Sequence, residues 1–357
     1  MDLIKVSVKS PLILIKKIEV TVMNDITICI DNDPLIKTYS HLADEYSVIR
    51  KDHPCLKNWI CSQLTQIKYH YDDINGHSID FFTHHCMDLP LLSSEKIYRH
   101  EIKNEEEFNS IVIEHLKLGY CTELYCNEYY IPERRAYQEM YFPHINMVYG
   151  YSFENQIYNL IGYGSNGKYD QSTIEKSQLY YAYSTIETDI PVFFLKQNET
   201  VSYDIEWWKI SYDLNNYINS GQDELSYHKD NYLFGLDVMR KIIEILNQIV
   251  NNQYYEDLRI FYLINEHKKV MFMKYNYWTN EGVKFKYSNI SELLKQNYNE
   301  TSICLNLFLK YIITKDQNII DKIIKKLDLV IRTEEVVFPI LLDGINEHKR
   351  SLIGLIS

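Results

Sequence analysis

Two residues of this sequence have the types and local settings for covalent catalysis, and 89 positions separate them: Cys55 and His144. Cys55 follows Pro54 at the start of the run Leu56, Trp59, Ile60, Leu64 and Ile67, whose spacing predicts an amphipathic helix. Proline suits the first helical position, where its missing N–H costs nothing, so Cys55 falls in the first turn. Unpaired N–H groups and the positive end of the helix dipole there stabilise a thiolate, which is the form a cysteine nucleophile needs. His144 opens the strand-like run Ile145–Tyr151, a place that suits a general base and equally an ordinary hydrogen-bonded core histidine. Cys55 likewise reads either as a nucleophile or as a small residue at a helix start. Cys61, deeper in the same helix, reads as core.

The elements that must carry these residues follow from hydrophobic periodicity. Gly119–Tyr163 is the organising stretch: a strand at Tyr120–Cys126, a tyrosine-rich loop, then a hairpin of Ile145–Tyr151 and Gln156–Ile161 turned at Ser152–Asn155. Before it, residues 1–32 alternate as two or three short strands, Leu35–Arg50 is a helix candidate, and Asn104–Leu118 is a helix stopped by Gly119. After it come a helix over 172–187 and strands at Val192–Leu195 and Tyr203–Ile210. From about Leu214 the pattern turns helical: 235–250, 257–277, 290–313, 318–327 and 334–350. We therefore expect an α+β unit over 1–212 and a helical unit over 213–357 that supports or covers it.

Composition narrows the function classes. A net charge of −12 disfavours nucleic acid and anionic membranes as general partners, because phosphates repel it. No apolar run has the length of a bilayer span, and lysines interrupt the N-terminal segment where a signal peptide needs an apolar core, so a cytoplasmic location is expected. The seven cysteines are scattered with no CxxC pair, which points to neither a disulfide framework nor a zinc ribbon. His84, His85 and Cys86 are adjacent, which is poor metal-ligand spacing, and Gly162–Lys168 lacks the spacing of a phosphate-binding loop. No cofactor is expected. The 32 tyrosines, with many Ile, Asn and Lys, resemble a genome-wide bias, so their clusters carry little functional weight.

Several spaced segments together resemble one family. Asn127–Pro132 (NEYYIP), His144 before an apolar hairpin with Gly150–Tyr151, Asn166–Tyr169 (NGKY) and Asp257–Phe272 (DLRIFYLINEHKKVMF) occur in the order seen in the butirosin-biosynthesis-protein-H-like proteins. These are relatives of papain-fold and C39-type cysteine peptidases. The resemblance spans most of the chain after about residue 40. It implies a papain-like fold and acyl transfer in specialised-metabolite biosynthesis of the nonribosomal-peptide type. The implied donor is a phosphopantetheine thioester on an acyl or peptidyl carrier protein, and the implied acceptor is a small-molecule amine. An amide synthase of the closthioamide type is the nearest mechanistic analogue. On this reading Cys55 is the nucleophile, His144 the base, and Asn159 the nearest amide that could orient the histidine. The chain departs from the pattern in three ways. Cys55 follows proline and not Asn or Asp; Gly162 stands at the position that usually carries Asp; and no glutamine precedes Cys55 at the oxyanion-hole spacing. The alternative is a non-catalytic accessory protein of the same fold that binds a synthetase or carrier domain. For docking an acidic carrier domain, Arg134 with Arg135 and Lys268 with Lys269 are the candidate basic pairs, though each pair taken alone reads first as a solvated loop or a solvated helix face.

Overall fold

The computed structural model describes residues 24–72, 76–82, 89–221, 232–251 and 254–354. The expected strands before residue 24 and the His84–His85–Cys86 cluster lie outside the described residues. The protein is α+β, with antiparallel sheets and a C-terminal helical region.

The main sheet contains β1 (Ile26–Thr27), β4 (Leu92–Ile97), β5 (Cys121–Asn127), β6 (Pro143–Ser152), β7 (Ile157–Tyr163), β8 (Tyr169–Glu175) and β9 (Val192–Gln197). Its order is β4-β9-β5-β6-β7-β8, all antiparallel, with β1 paired to the far end of β6. The expected hairpin is present as β6–β7, with a bulge between Val148 and Gly150. Gly150 is required there, because a Cβ would lie 2.7 Å from the Ile26 carbonyl oxygen of β1. A second sheet, in the order β10-β2-β3, joins β2 (Ile67–Asp72), β3 (Gly76–Phe81) and β10 (Tyr232–Phe234).

Alternation along the strands fills two cores. Leu124, Val148, Tyr158 and Leu160 pack with Phe108, Val112 and Leu116 of α3 (Glu105–Lys117) and with Leu179 and Ala182 of α4 (Lys176–Ser184). Met147, Tyr149, Ile161 and Leu195 belong to the larger core, which takes in Leu42 and Ala43 of α1 (Ser40–Val48) and most of the C-terminal helices. Those helices are α5 (Trp207–Ile218), α6 (Gly235–Val250), α7 (Arg259–Asn280), α8 (Ile290–Thr314) and α9 (Gln317–Gly354).

Four expectations change. The helix expected over 56–67 is only α2 (Leu56–Ser62); Leu64, at φ 58°, breaks the chain out of helix, and Ile67 begins β2. Tyr203–Ile210 is not a strand: Trp207 starts α5, which buries Ile210, Leu214 and Tyr217 at helical spacing and runs through residue 212. The helix expected over 172–187 is strand to Glu175 and helix from Lys176. The last two expected helices are one, because the buried stripe Leu327, Val330, Ile331, Glu334, Val337 continues unbroken and tolerates Pro339.

Candidate functional site

His144 lies at the start of β6, opposite Cys126 of β5. The chain leaving β5 makes a single 3₁₀ turn, Glu128–Tyr130, and is tied back to β6: the Glu128 N–H donates to the Phe142 carbonyl, and the Phe142 N–H donates to Asn127 Oδ1. This cross-tie places the Glu128 carboxylate beside the imidazole. His144 Nδ1 is 3.0 Å from Glu128 Oε1, and its other nitrogen, Nε2, is 3.2 Å from Ser40 Oγ. A carboxylate can only accept, so Nδ1 carries the proton and Nε2 is the lone-pair end facing the serine hydroxyl. The Glu128 side chain is 5% exposed and that of His144 30%, so the chain of groups opens to solvent at the imidazole. Phe142 stacks on the His144 ring, and Tyr163 of β7 meets it edge-on, which fixes its plane.

Ser40 is the first residue of α1, after Tyr39 in an extended conformation. Its hydroxyl therefore sits where the first-turn N–H groups have no intrahelical acceptor and where the dipole is positive. Two elements hold that helix start. Glu266 of α7 accepts from the Lys37 N–H at 2.9 Å and from the Thr38 hydroxyl at 2.6 Å. Burial pushes the Glu266 carboxyl up to about 7 despite these bonds. One turn into α1, Asp44 accepts from the Tyr169 hydroxyl of β8 at 2.5 Å. Burial pushes Asp44 up to about 7 as well, with the Tyr169 bond, His144, His41 and Arg134 opposing. Glu123 of β5, also buried, is raised well above the carboxylate range by desolvation and by Asp44 and Glu45. Three carboxyls around α1 are thus set toward the neutral form.

The structure does not bring the sequence-derived trio together. Cys55 is buried, its thiol donates to the Val201 carbonyl at 3.4 Å, and its N–H donates to His53 Nδ1. The helix it precedes has only 7 residues, a short source of dipole. Both ring nitrogens of His144 are already engaged, by Ser40 and Glu128. Asn159 pairs with Gly150 and Thr173, six residues along β6 from His144, or roughly 20 Å at strand rise. It packs on the Gly150 backbone and does not orient the histidine. The candidate basic pairs also change: Arg134 and Lys268 are both buried, Lys269 is half-buried and Arg135 is exposed.

The sequence points to Cys55 as nucleophile and to Asn159 on the second hairpin strand as orienter, and so passes over Ser40 and Glu128. The available signals were a serine within the helix expected over 35–50, whose observed start is Ser40, and an acid just past the strand that pairs with the histidine's strand. No group of His, Cys, Asp and Glu suited to a metal ion occurs among the described residues. Nor is any helix among them long and apolar enough to cross a membrane. No protein-family model matches the chain, and no curated protein matches it.

Proposed function

We propose that this protein is an acyltransferase that forms amides through Ser40, with His144 as general base and Glu128 as its orienting acid. The observation that carries this reading is the continuous chain Ser40 Oγ–His144 Nε2 and His144 Nδ1–Glu128 Oε1, at 3.2 and 3.0 Å, on the first turn of a helix. A nucleophile at the start of a helix against an antiparallel sheet that supplies the histidine is also the plan of a papain-like fold, with serine here in the cysteine's place.

Ser40 Oγ attacks the carbonyl carbon of an acyl thioester while His144 Nε2 takes the hydroxyl proton. First-turn N–H groups of α1 are placed to stabilise the oxyanion. The C–S bond breaks, the thiol leaves with the proton from Nε2, and an ester remains on Ser40. An amine then attacks that ester, gives its proton to Nε2, and the C–O bond breaks to return the serine hydroxyl and release an amide. Glu128 holds the imidazole in the Nδ1–H tautomer throughout. Ser40 is 7% exposed, which favours the amine over bulk water. The donor we propose is a carrier-protein phosphopantetheine thioester and the acceptor a small amine, as the family resemblance implies.

Intact-protein mass spectrometry after incubation with an acyl thioester tests the assignment. A one-to-one acyl adduct is expected on the wild type and on Cys55→Ala, and none on Ser40→Ala. An adduct lost in Cys55→Ala and kept in Ser40→Ala returns the nucleophile to Cys55. No adduct with thioesters or with a fluorophosphonate overturns the catalytic reading in favour of an accessory binding protein.

A further inference from the structure

One buried cation beside the site has no part in the chemistry above. Arg134 lies in the loop between β5 and β6, and its side chain is 1% exposed. Its Nε donates to Asn146 Oδ1 at 2.9 Å and stands 4.0 Å from Glu128 Oε1. The Asn146 amide in turn donates to the same Glu128 oxygen at 3.4 Å. Arg134 Nη2 is buried and makes no hydrogen bond. It fills a specific void: a Cβ on Gly162 of β7 would lie 3.0 Å from Nη2 and 3.3 Å from Asn146 Oδ1.

We propose that Arg134 is a positioning residue for this site: lodged in the space left by the missing side chain of Gly162, it balances the charge of Glu128 and, through Asn146, aims that carboxylate at His144. The proposal rests on the acyl-transfer reading for its catalytic meaning. It explains why a guanidinium is kept in the core at the cost of an unbonded N–H. It also accounts for Gly162, since any side chain there competes with the guanidinium for one space.

The electrostatics agree. Burial lowers the Arg134 guanidinium from its ordinary value, and Glu128, Asp44 and Glu133 oppose that shift. The charged and titratable groups facing it are Asp44 from α1, Cys126 from β5, Glu128 from the 3₁₀ turn and Glu133 beside it in the loop. Asp44 in turn faces His144 and His41. Among the described residues, the ion-pair partners of Glu128 are Arg134 and His144, so without Arg134 a protonated His144 is the cation left to pair with it, and a protonated imidazole cannot act as a base.

The test uses the full chain with ¹⁵N-labelled histidine, the His144 signals assigned by their loss in His144→Gln. At pH 8 the wild type should show the neutral Nδ1–H ring. In Arg134→Met that state should give way to the doubly protonated or the Nε2–H ring, and Arg134→Lys should restore it. Gly162→Ala, which pushes on Nη2 and removes no charge, should give an intermediate result and decides the question if Arg134→Met does not fold. An unchanged Nδ1–H ring in Arg134→Met, or in Gly162→Ala where Arg134→Met does not fold, overturns the proposal. This readout needs no turnover, so a shifted ring with an unreactive Ser40 removes the acyl-transfer reading alone. Where Ser40 does react, the acid limb of its fluorophosphonate-labelling profile should move up by about one pH unit in Arg134→Met, with about fivefold slower labelling at the limb's original midpoint. A uniform loss of rate with an unmoved limb reduces Arg134 to packing and overturns the positioning role.

Discussion

The protein holds two buried polar networks, and they are built to opposite ends. In the α+β half, Glu128, His144 and Ser40 form a chain that reaches solvent at the imidazole. In the helical half, Lys268 of α7 pairs with Glu334 of α9 at 2.7 Å, and both also bond the Tyr217 hydroxyl of α5. His267 accepts from Lys268 at Nδ1 and donates from Nε2 to the Thr65 carbonyl, whose residue also bonds Lys274. Every member is fully enclosed. Burial and then the Lys268 charge push His267 well below its ordinary range, and burial brings Lys274 down to about 7. By perturbation alone the helical network is the stronger candidate for a site. What it lacks is a way out: each donor meets a fixed protein acceptor, and no nucleophile faces an opening. Shifted titration marks a functional site only when geometry leaves a place for a substrate.

The sharpest way to break this contrast is to remove the working atom of each network. Ser40→Ala should lower the acylation rate by roughly 10⁴-fold or more, with an unchanged unfolding midpoint in urea. Glu334→Ala should do the reverse. It removes the carboxylate that pairs with the buried Lys268 and accepts from the Tyr217 hydroxyl, for a loss of about 3–5 kcal/mol in urea unfolding. The folded fraction should acylate at the wild-type rate. A rate loss in folded Glu334→Ala as large as that of Ser40→Ala would mean that the two networks are one.

A smaller effect sharpens the comparison through pH. Asp44 and Glu266 both brace the start of α1, and both are raised to about 7 in the folded protein by burial. A carboxyl with a raised folded value binds its proton more tightly when folded. Its contribution to stability is therefore whole below the unfolded value near 4 and is lost as pH rises through about 7. Stability should fall across that window by on the order of a few kcal/mol. Asp44→Asn should flatten part of this slope, as measured by urea unfolding at a series of pH values. A slope as steep in Asp44→Asn as in the wild type would place the pH dependence elsewhere.

What was legible in the sequence divides along similar lines. The hairpin that carries His144, the helix over Asn104–Leu118 and the helical second half follow from periodicity, because each buries a continuous apolar face. The histidine was legible because it stands at the head of that hairpin. Its partners were not. Glu128 reaches it through a cross-strand register and a 3₁₀ turn, and Ser40 reaches it from 104 residues away. Neither distance is written in local spacing. Cys55 misled for a complementary reason. Pro54 does mark a chain entry, but α2 ends after two turns at the Leu64 break, so the expected long dipole never forms.

That leaves Cys55 as the finest test of the contrast between a residue that looks reactive and one placed to react. Its thiol donates to the Val201 carbonyl in a buried pocket between α2 and the chain entering α5. Cys55→Ala removes one weak hydrogen bond and one sulfur atom from a packed site, a loss of about 1 kcal/mol. Acylation and its pH profile should not move, because neither nitrogen of His144 faces this thiol. Cys55→Ser tests the same point with the volume nearly kept: a hydroxyl can donate to the same carbonyl, so part of the lost stability should return while the rate again stays level. A drop in acylation of tenfold or more in both variants, with Ser40→Ala still active, would show that the chain uses the thiol after all.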